Sequence, residues 1–163
     1  AAVITRFGRL YGPGRVFTGA YPAMATDAAP LLAAVMLCAQ GESSLQDRVF
    51  EHRFACADGF AALGANVRVA ERTLYVQPGG ALHGAKLTAP DLRGGAALVI
   101  AALAARGSSR LGGVKFVRRG YADLDRLLAG LGAQIWQEIP ARSGVMKKTL
   151  TKKQFCLAIG AKR

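Results

Sequence analysis

The chain has 163 residues, 52% apolar and 20% charged, enough for one domain with a substantial core and too hydrophobic for a disordered polyelectrolyte. The longest uncharged apolar runs, 28–39 and 94–105, are about twelve residues each, short of the roughly 20 that cross a bilayer. The net charge of +12 is uneven: seven basic residues and no acidic one follow Pro140, which leaves only +5 for residues 1–139.

In chain order, residues 1–20 are rich in Gly and Arg and offer one short strand, Arg15 to Thr18, after the turn Gly12-Pro13-Gly14. The sequence opens on Ala1 rather than Met and carries no signal-peptide pattern, so a fragment of a cytoplasmic protein is expected. Thr26 or Asp27 is placed to cap a helix that tolerates Pro30 in its first turn and stops at Gly41. A strand over 44–50 and an amphipathic helix over 54–63, ended by Gly64, follow. Strands over 66–70 and 73–77 are joined by Glu71-Arg72 as a two-residue hairpin turn.

Pro90 and Asp91 open the next helix, which runs to Gly107 with no polar side chain between Gly94 and Ala105. A helix apolar on every face has to be buried on every side. A strand is predicted over 109–116. The helix that follows sets Tyr121, Leu124, Leu127, Leu128 and Leu131 on one face, Asp123, Asp125 and Arg126 on the other, and Gly132 as its C-cap. The last predicted strand is 134–138. Residues 140–163 are expected to form a basic, disordered tail, solvated rather than specific for nucleic acid. Cys38, Cys56 and Cys156 have no CxxC spacing and read as reduced structural thiols.

Two stretches about 66 residues apart are copies of one another. Asp27, the apolar run, Gly41, Phe50, Arg53 and Leu63-Gly64-Ala65 recur as Asp91, the second run, Gly107, Phe116, Arg119 and Leu131-Gly132-Ala133. The distance from glycine to arginine is 12 residues in each. Tandem modules of this kind stack to bury apolar faces that neither buries alone. Each copy, about 21–80 and 81–139, reads as buried helix, strand, amphipathic helix and further strand. The fold class is therefore α/β, with apolar helices enclosed by sheet.

The polar residues kept in both copies are the candidates for chemistry. Asp27 and Asp91 either cap their helices, at about 1 kcal/mol each, or act as carboxylates in a site. Arg53 and Arg119 precede the amphipathic helices, where a cation opposes the helix dipole but an anion is favoured, so each pairs naturally with a phosphate or carboxylate. His52 and His83 are far apart in sequence and lack a partner motif, so no metal and no cofactor are expected.

The strings Thr26-Asp27, Val49-Phe50-Glu51-His52-Arg53-Phe54, Asp91-Leu92-Arg93-Gly94-Gly95 and Arg119-Gly120-Tyr121, in this order and spacing, resemble the C-terminal part of the UDP-N-acetylglucosamine enolpyruvyl (1-carboxyvinyl) transferases. The resemblance covers roughly 21–135. It implies an inside-out α/β barrel built of repeats, two of them present here. It also implies transfer of enolpyruvyl from phosphoenolpyruvate to the 3′-hydroxyl of UDP-N-acetylglucosamine in peptidoglycan synthesis. Carried over by position, Asp27 is the base that accepts the hydroxyl proton, Val49 lines the nucleotide-sugar site and Arg119 binds phosphoenolpyruvate. Asp91 and Arg93 form a loop at the edge of the site, and Arg53 lies in the same cleft.

The sequence departs from that pattern at Ala23 and Ala25, where the family has a glycine and a proline, at His52 in place of Asn, and at Arg118 before Arg-Gly-Tyr. The family's N-terminal part, with its Lys-Asn pair and proton-donating cysteine loop, has no match here, so that part is the expected partner and the fragment alone is expected to be inactive. Other enolpyruvyl transferases, RNA terminal-phosphate cyclase-like proteins and a basic binding module remain alternatives. The Asp-Leu-Arg and Arg-Gly-Tyr strings argue against the first two, and the scarcity of aromatics, 7%, against single-strand nucleic-acid binding.

Overall fold

The computed structural model describes residues 8–138 and 156–160. Two four-stranded sheets are formed. In the first, β1 (Arg15–Phe17), β2 (Ser43–Gln46), β3 (Asn66–Ala70) and β4 (Thr73–Gln77) lie in the order β1-β2-β4-β3. In the second, β5 (Lys86–Thr88), β6 (Ser108–Gly112), β7 (Gln134–Glu138) and β8 (Cys156–Gly160) lie in the order β5-β6-β8-β7. In each, the first two strands run parallel and the remaining pairings are antiparallel. The parallel connections pass through α1 (Ala29–Met36) and α3 (Leu92–Ala104), as a parallel pair requires a crossover.

Helix α3 is buried from Gly94 through Val99 and again at Ala101 and Ala102, among α1, β6, β8, α2 (Ala57–Ala62) and α4 (Val114–Val117). Leu98 and Val99 are fully buried there, each contributing roughly 1.5–3 kcal/mol by removal from water. Helix α1 packs on α3 with Ala29, Ala33, Ala34 and Met36, yet leaves Val35 45% exposed, and α3 is itself only half-buried at Ile100 and Leu103 and exposed at Ala104, so burial is more extensive for α3 than for α1 but complete for neither. In α2, Gly59 is what lets the helix sit down on α3: a Cβ there would lie 2.5 Å from Leu98 Cδ2. Helices α2 and α5 (Leu124–Gly130) end alike. Ala65 N–H donates to Phe60 O at 3.0 Å and Ala133 N–H to Leu128 O at 3.0 Å, around Gly64 (φ 88°) and Gly132 (φ 94°), the Schellman arrangement expected of those glycines.

The hairpin β3–β4 turns on Glu71 (φ 51°) with Ala70 opposite Thr73, as read from the sequence. Strand β7 also matches its expected bounds, whereas several other predicted elements are corrected. The strand expected over 44–50 ends at Gln46, because the Asp47 carboxylate takes the N–H groups of Val49 and Phe50 and turns the chain. The strand expected over 109–116 ends at Gly112, where left-handed Gly113 (φ 71°) starts the one-turn α4. The predicted helices are all shorter, and strand β5 was not foreseen. The tail assigned to 140–163 is corrected at its far end: Cys156–Gly160, an uncharged run in sequence, is a strand between β6 and β7. The rest of that tail, 140–155 and 161–163, lies outside the described residues.

Candidate active site

Asp91 is the N-cap of α3. Its Oδ1 accepts from the N–H groups of Arg93 (2.9 Å) and Gly94 (2.7 Å), two of the donors that a helix start leaves unpaired. Gly94 and Gly95 allow this end of the helix to approach its neighbours: a Cβ on Gly94 would lie 2.9 Å from Pro90 Cγ, and one on Gly95 2.6 Å from Val117 Cγ2. The cap and these two contacts fix where Arg93 leaves the helix.

Asp27, the matching acid of the first copy, caps nothing. It sits in a 3-10 turn, Thr26–Ala28, whose own N-cap is Ala25 and which makes no side-chain cap bond. Its carboxylate instead reaches the start of α3 and the turn before α2. Arg93 grips it as a fork, Nε 2.5 Å from Oδ1 and Nη2 2.5 Å from Oδ2, and Arg53 Nη2 lies 3.6 Å from Oδ1. This contact raises the pKa of the Arg93 guanidinium further, first through the hydrogen bond to Asp27, so Arg93 stays charged at any ordinary pH. Asp27 itself is 55% exposed, so a ligand hydroxyl can reach it.

Arg53 is differently placed. Its side chain is 10% exposed, Nε donates to Thr26 Oγ1 at 3.0 Å and lies 3.6 Å from Asp47 Oδ2, and its guanidinium stacks 4.4 Å over the Phe50 ring. Helix α2 begins at Ala57 and α5 at Leu124, so Arg53 and Arg119 stand three and four residues ahead of the caps Cys56 and Asp123. The helix-dipole reading of these arginines is therefore corrected: both project from turns. Arg53 is held by carboxylates and an aromatic face.

Asp47 is the residue that sequence reasoning missed. It is fully buried. Its Oδ1 accepts from Val49 N–H (2.8 Å) and Phe50 N–H (2.7 Å), and its Oδ2 accepts from the Thr26 hydroxyl. Burial pushes its pKa up, but hydrogen bonds from Thr26, Phe50, Val49 and Thr18 outweigh that and hold it below the ordinary value. The signal available in the sequence was an acidic residue inside a run read as strand, where acids are disfavoured.

These groups border an open cleft of about 840 Å³ lined on one side by Val49, Phe50, Glu51, His52, Arg53 and Arg72, and on the other by Pro90, Asp91, Leu92, Arg93, Phe116 and Arg119. Asp27 reaches the cleft through Arg93 and Arg53 rather than lining it. Of the four lining arginines, Arg72 pairs with Glu51 and two bind Asp27. Arg119 is exposed and makes no ion pair among the described residues. The arrangement is thus a carboxylate held in a fixed orientation beside a positively charged cleft with a guanidinium free to receive an anion.

The family model for EPSP synthase (3-phosphoshikimate 1-carboxyvinyltransferase) matches residues 14–128, most of the chain. The chain belongs to this family. Among similar proteins, a UDP-N-acetylglucosamine 1-carboxyvinyltransferase of Desulfofundulus thermocisternus is 36% identical over 84% of the chain and 58% of its own length. One of Thermus thermophilus is 41% identical over 76% of the chain and 29% of its own length. Among solved structures, the enolpyruvyl transferase NikO from Streptomyces tendae superposes with a TM-score of 0.71 at 33% identity, over 77% of the chain and 29% of that protein. The chain therefore has the fold of part of an enolpyruvyl transferase and spans between about a third and three fifths of the relatives it matches. No helix among the described residues is long and apolar enough to cross a membrane.

Proposed function

We propose that the chain forms one wall of the active site of a cytoplasmic enzyme that transfers enolpyruvyl from phosphoenolpyruvate to the 3′-hydroxyl of UDP-N-acetylglucosamine. The observation that carries this reading is the Asp27 carboxylate, gripped by Arg93 and Arg53 beside an arginine-lined cleft, rather than capping its helix as Asp91 does. The two sheets of identical order fit two repeats of an inside-out barrel, about 21–80 and 81–139, that other repeats of the polypeptide would complete.

In this reading Arg119 takes the phosphoenolpyruvate anion through its planar fork, as the unpaired cation of the cleft. Val49 and Phe50, both about half exposed on the rim, offer apolar surface to the nucleotide sugar. Asp27 removes the 3′-hydroxyl proton while the oxygen attacks C2 of the enolpyruvyl group and a proton goes to C3 from the part of the enzyme not contained in this chain; loss of inorganic phosphate from C2 together with a proton from C3 then restores the double bond of the enol ether. Both oxygens of Asp27 are occupied by Arg93, so the hydroxyl takes the place of one of those bonds when it binds.

The test is phosphate release from phosphoenolpyruvate by the full-length polypeptide with UDP-N-acetylglucosamine, beside a parallel assay with shikimate 3-phosphate. Turnover with the nucleotide sugar and none with the shikimate ester is the expected result; the reverse would assign the cleft to the enzyme for which the family model is named. The isolated chain should release no phosphate above background.

A further inference from the structure

We infer that Asp47 is a positioning residue of the site: it sets the basicity and orientation of Asp27 by holding Arg53 and Thr26 in place. The inference rests on the reading of Asp27 as the base. Three observations support it. Asp47 is a fully buried carboxylate with four polar groups directed at it, more than a turn needs. Its partners come from every part of the chain that builds this side of the site: Thr26 adjoins Asp27, Val49 and Phe50 form the rim, and Arg53 touches Asp27. The Thr26 hydroxyl donates to Asp47 while accepting from Arg53 Nε, so it transmits the position of one to the other.

The charges explain what the link does. Arg53 lies 3.6 Å from each of Asp27 and Asp47, and so divides its charge between two carboxylates. Without Asp47 the whole guanidinium would be available to Asp27, which already carries the Arg93 fork, and the Asp27 carboxylate would become a weaker base. Removing the buried negative charge itself acts in the same direction. The charged groups facing Asp27 are Arg93 from α3 and Arg53 from the turn before α2; Asp91 and Tyr121 act on Arg93 from behind. Hydrogen bonds hold the Asp47 carboxyl below its ordinary pKa, so it stands as a negative charge at neutral pH.

The experiment uses the full-length enzyme and compares Asp47→Asn, Asp47→Glu and Asp27→Asn by kcat against pH and by thermal denaturation. Asp47→Asn keeps the shape and an acceptor for the rim N–H groups but loses the charge. We expect its plateau kcat to fall about tenfold and the acid limb of its profile to move down by about half a pH unit. Asp47→Glu, with the charge restored, should return the limb to its wild-type position. A limb that stays put in Asp47→Asn, or equal losses in Asn and Glu variants that follow only the drop in Tm, would overturn the inference and leave Asp47 a structural turn residue. If Asp47→Asn does not fold, Thr26→Val removes the bridging hydroxyl alone; a kcat equal to wild type would overturn the inference equally. Asp27→Asn separates this from the reading beneath it. Normal turnover in that variant removes Asp27 as base, whereas its inactivity with an unmoved Asp47→Asn limb removes only the link.

Discussion

The start of α1 and the start of α3 carry the same kind of residue in corresponding places, and they have opposite uses. At α3 the aspartate turns inward to its own helix and closes the cap with two N–H groups. At α1 it turns away from its helix and is taken by Arg93 from the start of α3. The neighbours decide the difference. Helix α1 is preceded by a 3-10 turn with a donor, Thr26, that is already committed to Asp47, whereas in the second copy the position corresponding to Asp47 is Gly113, which has no side chain to offer. At the start of α3 the acid therefore stabilises its own helix, whereas at the start of α1 it makes no cap and lies beside a buried carboxylate network.

The sharpest way to break this comparison is to remove the two acids in parallel in the full-length enzyme. Asp27→Asn should lower kcat by about 10²-fold or more with substrate binding largely intact, the usual scale of a lost general base. Asp91→Asn keeps the cap, because asparagine caps as well as aspartate, and its kcat should fall far less. Equal losses in steady-state turnover would mean that both acids serve the same purpose.

The next effect concerns the paired arginines. Arg119→Lys should weaken phosphoenolpyruvate binding by about tenfold, because an ammonium cannot reproduce a bidentate fork on an anion. Arg53→Lys should instead act through stability, since Arg53 is committed to Thr26, Asp47 and the Phe50 ring. Titration with phosphoenolpyruvate and thermal melts on both variants check this; a melting temperature that falls more for Arg119→Lys than for Arg53→Lys would reverse the assignment.

A smaller effect is purely structural. Asp91→Ala leaves the Arg93 and Gly94 N–H groups without their acceptor and should cost about 1 kcal/mol, with a fall in Tm of about 2–4 °C. Asp27→Ala should shift Tm less, because Asp27 supplies no cap. Differential scanning calorimetry on the two variants is sufficient.

The parts of this arrangement that were legible in the sequence are those set by local rules. The apolar run from Gly94 to Ala105 announced a buried helix, Gly64 and Gly132 announced helix ends, and Glu71-Arg72 was read as the hairpin turn that it is. Spacing and family likeness together pointed to Val49, Arg53, Arg93 and Arg119, which all line one cleft. The illegible parts depend on contacts between residues distant in sequence. Whether an aspartate at a helix start caps it or leaves it depends on what lies across the fold, here Arg93, 66 residues away. Asp47 was hidden because its reason for being where it is, a donor on Thr26 and an arginine to restrain, appears only when three segments meet. Strand β8 was hidden by the basic residues before it, which made the whole C-terminal stretch look like tail.

The smallest expected effect is a change in how stability depends on pH, and it tests the contrast between Asp47 and Gly113 directly. The folded pKa of Asp47 is held below its ordinary value of 3.8. A carboxylate depressed on folding contributes stability that is present above the unfolded value and is lost as pH falls through the folded one. The stability gap between wild type and Asp47→Asn should therefore be widest near neutral pH and narrow as pH falls below about 3.8, because protonating Asp47 makes the wild type resemble the variant. Urea denaturation at a series of pH values measures that gap. A gap that stays constant across the range would mean that the Asp47 hydrogen bonds do not favour the charged form. Asp47 would then do no more than shape the turn, and the comparison between the two copies would rest on Asp27 and Asp91 alone.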